Sequence, residues 1–168
     1  MRTLMRERVG RGGFTLLEVM IASTVLALIT LALTQAMAAG HMQTRAALER
    51  ARAMTLVEAM LEEVSVLGYP ADPDAVVAPP VTRSLITDLK AYDGLTEEPG
   101  ALVDHVGVLL PDAYQGYTRT VTILEGTTLA VADLGMTLNG LNVLVTVSLG
   151  DGRSWSAGRF VPDPDGGV

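Results

Sequence analysis

Residues 14–39 form a run that holds a single formal charge, Glu18, and no proline. As an α-helix these 26 residues would reach about 39 Å at about 1.5 Å per residue, more than the roughly 30 Å of a bilayer's hydrocarbon core. Ser23, Thr24, Thr30 and Thr34 interrupt the run only mildly, because a helical hydroxyl can bond a carbonyl of the preceding turn. Hydrophobic residues make up 49% of the 168-residue chain, and this segment carries the excess. The length suggests one compact domain beside a membrane anchor.

Charge sharpens that reading. Residues 1–13 hold Arg2, Arg6, Arg8 and Arg11 against Glu7, a formal +3, so the rest of the chain carries −10 of the total −7. A basic start before an apolar run is a membrane-targeting pattern, and it predicts an N-terminus held in the cytoplasm. The acidic remainder offers no basic stripe to neutralise phosphates, which argues against a nucleic-acid partner. Without cysteine there is no disulfide, thiolate metal site or Cys nucleophile.

Six regions follow from composition and periodicity: a basic leader (1–13), a membrane and assembly helix (14–39), an amphipathic helix (40–68), a loop-rich connection (69–116), an antiparallel sheet (117–161) and an acidic tail (162–168) expected to fray. Ala53, Leu56, Val57, Met60, Val64 and Leu67 recur at helical spacing, so one face needs a cover that the downstream strands can supply. Arg45, Glu49 and Arg52 are spaced for charge pairs on the other surface. Gly68 and Pro70 mark the stop. Four prolines between Tyr69 and Pro80 mark a loop, and a short helical turn is expected over residues 84–91. Residues 117–124 and 141–149 alternate as strands, the second with five apolar residues on one face. A further strand is weakly marked near residues 129–133. After residue 149, a three-residue loop with Gly152 in the left-handed region would set Trp155 opposite Val147, on the apolar face. A two-residue turn would set it opposite Ser148.

The informative stretch is Gly12-Gly13-Phe14-Thr15-Leu16-Leu17-Glu18-Val19-Met20. A carboxylate near the start of a spanning helix is disfavoured by a few kcal/mol and normally has a partner or a task. No cation follows Glu18 for more than twenty residues. Cleavage between Gly13 and Phe14 would create one, the free amine of a neighbouring subunit. A basic leader ending in Gly, then Phe-Thr-Leu-Leu-Glu and an apolar helix, resembles the type III signal of type IV prepilins and type II secretion pseudopilins.

The resemblance implies a membrane prepilin peptidase that cuts after Gly13 on the cytoplasmic side and N-methylates Phe14. It implies a docking role for Glu18 in a growing fibre. It also implies an α+β fold, with a long N-terminal helix whose second half packs on a C-terminal antiparallel sheet. The partners it implies are the peptidase, other pilins or pseudopilins and an inner-membrane assembly platform, with the C-terminal domain in the periplasm. Major pilins often carry a proline in the apolar segment and a C-terminal disulfide. Their lack here favours a minor pilin or pseudopilin.

Competing readings have their own residues. Ala36-Met37-Ala38 fits a secretory cleavage site with residues 19–33 as its apolar core, but Glu18 then stands just inside the apolar boundary and the helical pattern runs on past the cut. A signal anchor on a periplasmic binding or sensory module predicts the same orientation but gives no reason for Gly13-Phe14 beside Glu18. Glu18 could also simply favour the positive end of the helix dipole. His41 and His105 lack ligand spacing, Asp72/Asp74 and Asp163/Asp165 lack a calcium-loop pattern, and no metal or cofactor is expected. Glu58, Glu62 and Glu63 read as a solvated helix face, and Met37, Met42, Met54 and Met60 as packing surface. No nucleophile elbow, zinc helix or phosphate loop occurs, so no catalytic residue is assigned and an enzyme is not expected.

Overall fold

A computed structural model describes residues 15–70, 72, 83–131 and 136–167. The chain divides into two compact units, residues 1–46 and residues 47–168. Helix α1 (Leu16–Ser65) contributes to both.

In the first unit the helix is exposed on every side, with large apolar side chains such as Leu17, Ile21, Leu26, Ile29 and Leu33 all more than half exposed. Its hydroxyls are satisfied from within: Ser23 donates to the Met20 carbonyl (2.9 Å), Thr24 to Ile21 (2.8 Å) and Thr30 to Leu26 (2.7 Å). A helix of this kind can meet lipid without an orphaned polar group. Length and composition make it able to cross a membrane. Gly40 leaves it unbroken.

The second unit is α+β. Four antiparallel strands, β1 (Thr96–Glu97), β2 (Tyr117–Val131), β3 (Met136–Leu149) and β4 (Ser154–Gly167), form one sheet in the order β1-β2-β3-β4. The last turns of α1 lie on its inner face. Ala53, Leu56, Val57, Met60 and Val64 are buried against Val121, Leu141, Val143, Val145 and Val147. Period-3.6 and period-2 apolar patterns thus meet in one core, as the sequence requires. The helix closes with tightened bonds, Leu67 N–H to the Val64 carbonyl at 3.2 Å, and Gly68 takes φ +69° where a side chain would be strained.

The connection holds 3-10 turns at Arg83–Leu85, Leu89–Tyr92 and Asp112–Tyr114. The expected short helical turn over residues 84–91 is therefore two tighter turns. The loop expected from Tyr69 to Pro80 lies mostly outside the described residues, as does Asp74.

The β3–β4 hairpin has the three-residue loop: Leu149 N–H donates to the Arg153 carbonyl (2.9 Å), Gly152 has φ +89°, and Val147 pairs with Trp155. Trp155 packs against the core. Both neighbouring strands are longer than their patterns suggested. The weakly marked strand near residues 129–133 is the far end of β2, where Leu129 pairs with Leu138 and Val131 with Met136 after a register shift; Ala132 and Asp133 lie outside the described residues. The acidic terminus expected as a frayed tail instead continues β4 to Gly167, with Pro162 opposite Gly140. Pro162 and Pro164 are compatible with this because β4 is an edge strand.

Candidate functional site

The N-terminal turn of α1 places Glu18. Thr15 precedes the helix, its Oγ1 accepts from the Glu18 N–H (3.2 Å), and its carbonyl accepts from the Val19 N–H (3.2 Å). Thr15 thus caps the helix, and Glu18 stands three residues on, where a carboxylate complements the unpaired N–H groups. Thr15-x-x-Glu18 before an apolar run is the spacing of a capping box, a signal readable in the sequence beneath the oddity of the lone charge. The carboxylate is exposed, and among the described residues no cation lies within ion-pair reach. Its place in the first turn meets the dipole reading and leaves it accessible to a group from another molecule. Gly13 and Phe14 lie outside the described residues.

The geometry of an apolar helix opening on Thr15 and Glu18 agrees with the comparison against known families. Residues 8–34 match the prokaryotic N-terminal methylation motif. The prepilin-type motif takes in Gly13, Phe14 and Glu18 together, and with the long apolar helix it is consistent with a type IV pilin-like protein. No curated protein and no solved structure matches the chain. The prepilin-type motif and the helix fit a single-pass inner-membrane anchor.

A second cluster of ionisable groups lies in the other unit. Arg83 reaches three elements. Its Nε donates to Glu63 Oε1 on α1 (2.9 Å) and its Nη2 pairs with Glu63 Oε2. Its Nη1 donates to Glu97 Oε1 on β1 (3.2 Å) and to the Val103 carbonyl (2.6 Å). Arg119 on β2 donates through Nε to Glu97 Oε2 (2.6 Å) and through Nη2 to the same Val103 carbonyl (2.9 Å). Tyr92 Oη donates to Glu63 Oε1 (2.6 Å). Two acids and two arginines thus compensate one another in a buried site.

Burial alone would raise the Glu63 carboxyl, but hydrogen bonds from Arg83 and Tyr92 and the Arg83 charge outweigh it and hold the group below the usual carboxylate range. Burial and the acceptor Glu63 push the Tyr92 phenol well above its ordinary value. Arg119 is pushed down by burial and by its neighbour Arg83, while attraction to Glu97 opposes the shift; a guanidinium there stays charged. Glu63 is therefore not the solvated acid expected from its helix position; it faces Arg83 because the connection folds back over the end of α1. Glu58 and Glu62 are exposed as expected. Glu49 pairs with Arg153 of the hairpin at 2.6 Å. Met60 is fully buried, whereas Met37 and Met42 are exposed on α1. His41 and His105 are both exposed, and among the described residues no group of three His, Asp or Glu converges as a metal site would require.

A cavity of about 700 Å3 opens beside the ion cluster, walled by Leu56, Leu67, Ile86 and Leu110.

Proposed function

We propose that this chain is the precursor of a minor pilin or pseudopilin, cut after Gly13 by a prepilin peptidase, N-methylated at Phe14, and assembled into a type IV pilus-like or type II secretion fibre. The observation that carries the proposal is the motif match over residues 8–34, which spans the cleavage junction and Glu18 in one stretch. The physical logic is charge compensation. Before assembly, the exposed carboxylate of Glu18 sits at the start of a lipid-facing helix, an unfavourable place without a counter-charge. Cleavage gives each neighbour a Phe14 amine at the same depth, and pairing the two offsets desolvation on both sides. Between apolar helices in lipid the hydrophobic effect supplies little, so packing and this charge pair must select the partner.

On this reading other pilins or pseudopilins and an inner-membrane assembly platform are the partners, the N-terminus starts in the cytoplasm, and the sheet-bearing unit faces the periplasm. The role is structural and non-enzymatic. A signal-anchored binding or sensory module that never polymerises is the alternative, and one experiment separates them. In cells carrying the peptidase and the partner pilins, Glu18→Ala should be cut normally yet fail to enter fibres. Wild-type incorporation of Glu18→Ala would remove the docking role, and wild-type protein that never copurifies with other pilins would favour the anchored module.

A further inference from the structure

The described residues that line the cavity beside the ion cluster all belong to the second unit. One flank of α1 supplies Leu56 and Ala59, the connection supplies Ile86 and Leu110, and β2 supplies Arg119. Val66 lines it as well and is 85% exposed. Leu85, Val106 and Leu109, each more than half exposed, stand next in sequence to lining residues. Apolar surface therefore continues from the wall to the outside.

Arg119 is the exception in that wall. It is 2% exposed, yet its guanidinium is only partly engaged. Nε and Nη2 bind Glu97 and the Val103 carbonyl, and among the described residues Nη1 has no hydrogen-bond partner. Nη1 is not sealed in either, since among the described residues the buried and unpaired side-chain polar atom is Gln115 Oε1. Its N–H groups thus open on the cavity that Arg119 borders. The acids around it are already spent. Glu63 and Glu97 balance Arg83 and Arg119 one for one, and their oxygens accept from Arg83, Arg119, Tyr92 and the Val103 N–H. Burial and the Arg83 charge press on Arg119, and an anionic acceptor at Nη1 would relieve both.

We propose that the cavity is a binding site for a small monocarboxylate with an apolar body, held head-first by Nη1 of Arg119. A guanidinium N–H to a carboxylate is a charge-assisted bond, stronger than a neutral one, and in a buried site little screening weakens it. One negative charge suits a cluster that is neutral without it, whereas a dianion such as phosphate would overcharge it. Water can meet Nη1 but gains nothing from Leu56, Ile86 and Leu110, which favour an apolar body. The volume, about 700 Å3, lies in the range of small-molecule sites, roughly 300–1,000 Å3. A polypeptide end would bring backbone N–H and C=O groups to a wall that offers them few partners. Two further acids border the cavity. Glu62 is exposed, where solvent and salt screen it, and Asp104 Oδ1 accepts from the N–H groups of Val106 and Val108. His105, also on the border, is exposed and adds no negative charge. Because these residues all lie in the second unit, occupancy depends neither on cleavage after Gly13 nor on fibre assembly.

The test uses the full chain in phosphatidylcholine nanodiscs, irradiated with para-benzoylbenzoate, a carboxylate whose apolar body is photoreactive. The sites of attachment are mapped by mass spectrometry of peptides. Attachment within residues 55–67 or 103–114 is expected, and octanoate should suppress it. The neutral analogue para-methylbenzophenone should attach there about tenfold less, for want of the charge-assisted bond. Arg119→Gln should lower attachment of the carboxylate by about the same factor. That variant also disturbs the ion cluster, so Ala59→Trp, a bulky group at an exposed border position, supplies a second reading: it should block attachment while the melting temperature holds. No attachment in those residues, equal attachment of the charged and neutral probes, or full attachment in Ala59→Trp or in folded Arg119→Gln overturns the proposal. Labelling confined to residues 16–39, the mark of a probe dissolved in lipid, overturns it too, as does suppression by a leucine-terminated tripeptide but not by octanoate.

Discussion

Arg83 stands where α1, β1 and the connection meet, and its guanidinium supplies hydrogen bonds to Glu63, Glu97 and the Val103 carbonyl at once. Removing one partner from such a cluster leaves the others buried and uncompensated, which is worse than replacing them all. Arg83→Met should therefore destabilise the sheet-bearing unit by about 3–5 kcal/mol in equilibrium denaturation, while processing at the N-terminus continues. The same cluster sets a pH dependence. Because the Glu63 carboxyl lies lower in the folded state than in the unfolded chain, its contribution is present above the ordinary carboxylate value and is lost as pH falls through the folded value. Thermal melts should thus be flat in this respect from neutrality to about pH 5 and fall below about pH 4. Glu63→Gln should flatten that acid limb, and an unchanged limb would locate the titration elsewhere.

At the scale of elements, local pattern and long-range pairing separate cleanly. The apolar face from Ala53 to Val64 is legible because a helix repeats every three to four residues, and all five of its core positions are buried. Met60 is fully enclosed, so Met60→Ala should cost about 2–5 kcal/mol, measured by the same denaturation. The placement of Trp155 opposite Val147 was legible too, because only one loop length keeps it on the apolar face. Gly152→Val should disturb that hairpin, since a β-branched residue resists φ +89°; a lower melting temperature checks it. What escaped the sequence depended on contacts distant along the chain. Nothing local to Glu63 announces Arg83, twenty residues on, and nothing in Pro162 and Pro164 announces that β3 is long enough to carry β4 past them. The cap formed by Thr15 is local, and its spacing to Glu18 was there to be seen beneath the more conspicuous oddity of the charge.

For the whole molecule, one chain joins a helix able to cross a membrane to an α+β unit held by an apolar core and a compensated ion cluster. The methylation motif at residues 8–34 links the first of these to assembly. The account turns on the liberation of a positive charge at Phe14 that Glu18 of a neighbour can meet. Intact mass and N-terminal fragmentation of the protein purified from membranes that contain a prepilin peptidase test this directly. A chain that begins with N-methylated Phe14 is expected. A chain that still carries Gly13, or one that begins after Ala38, would contradict it.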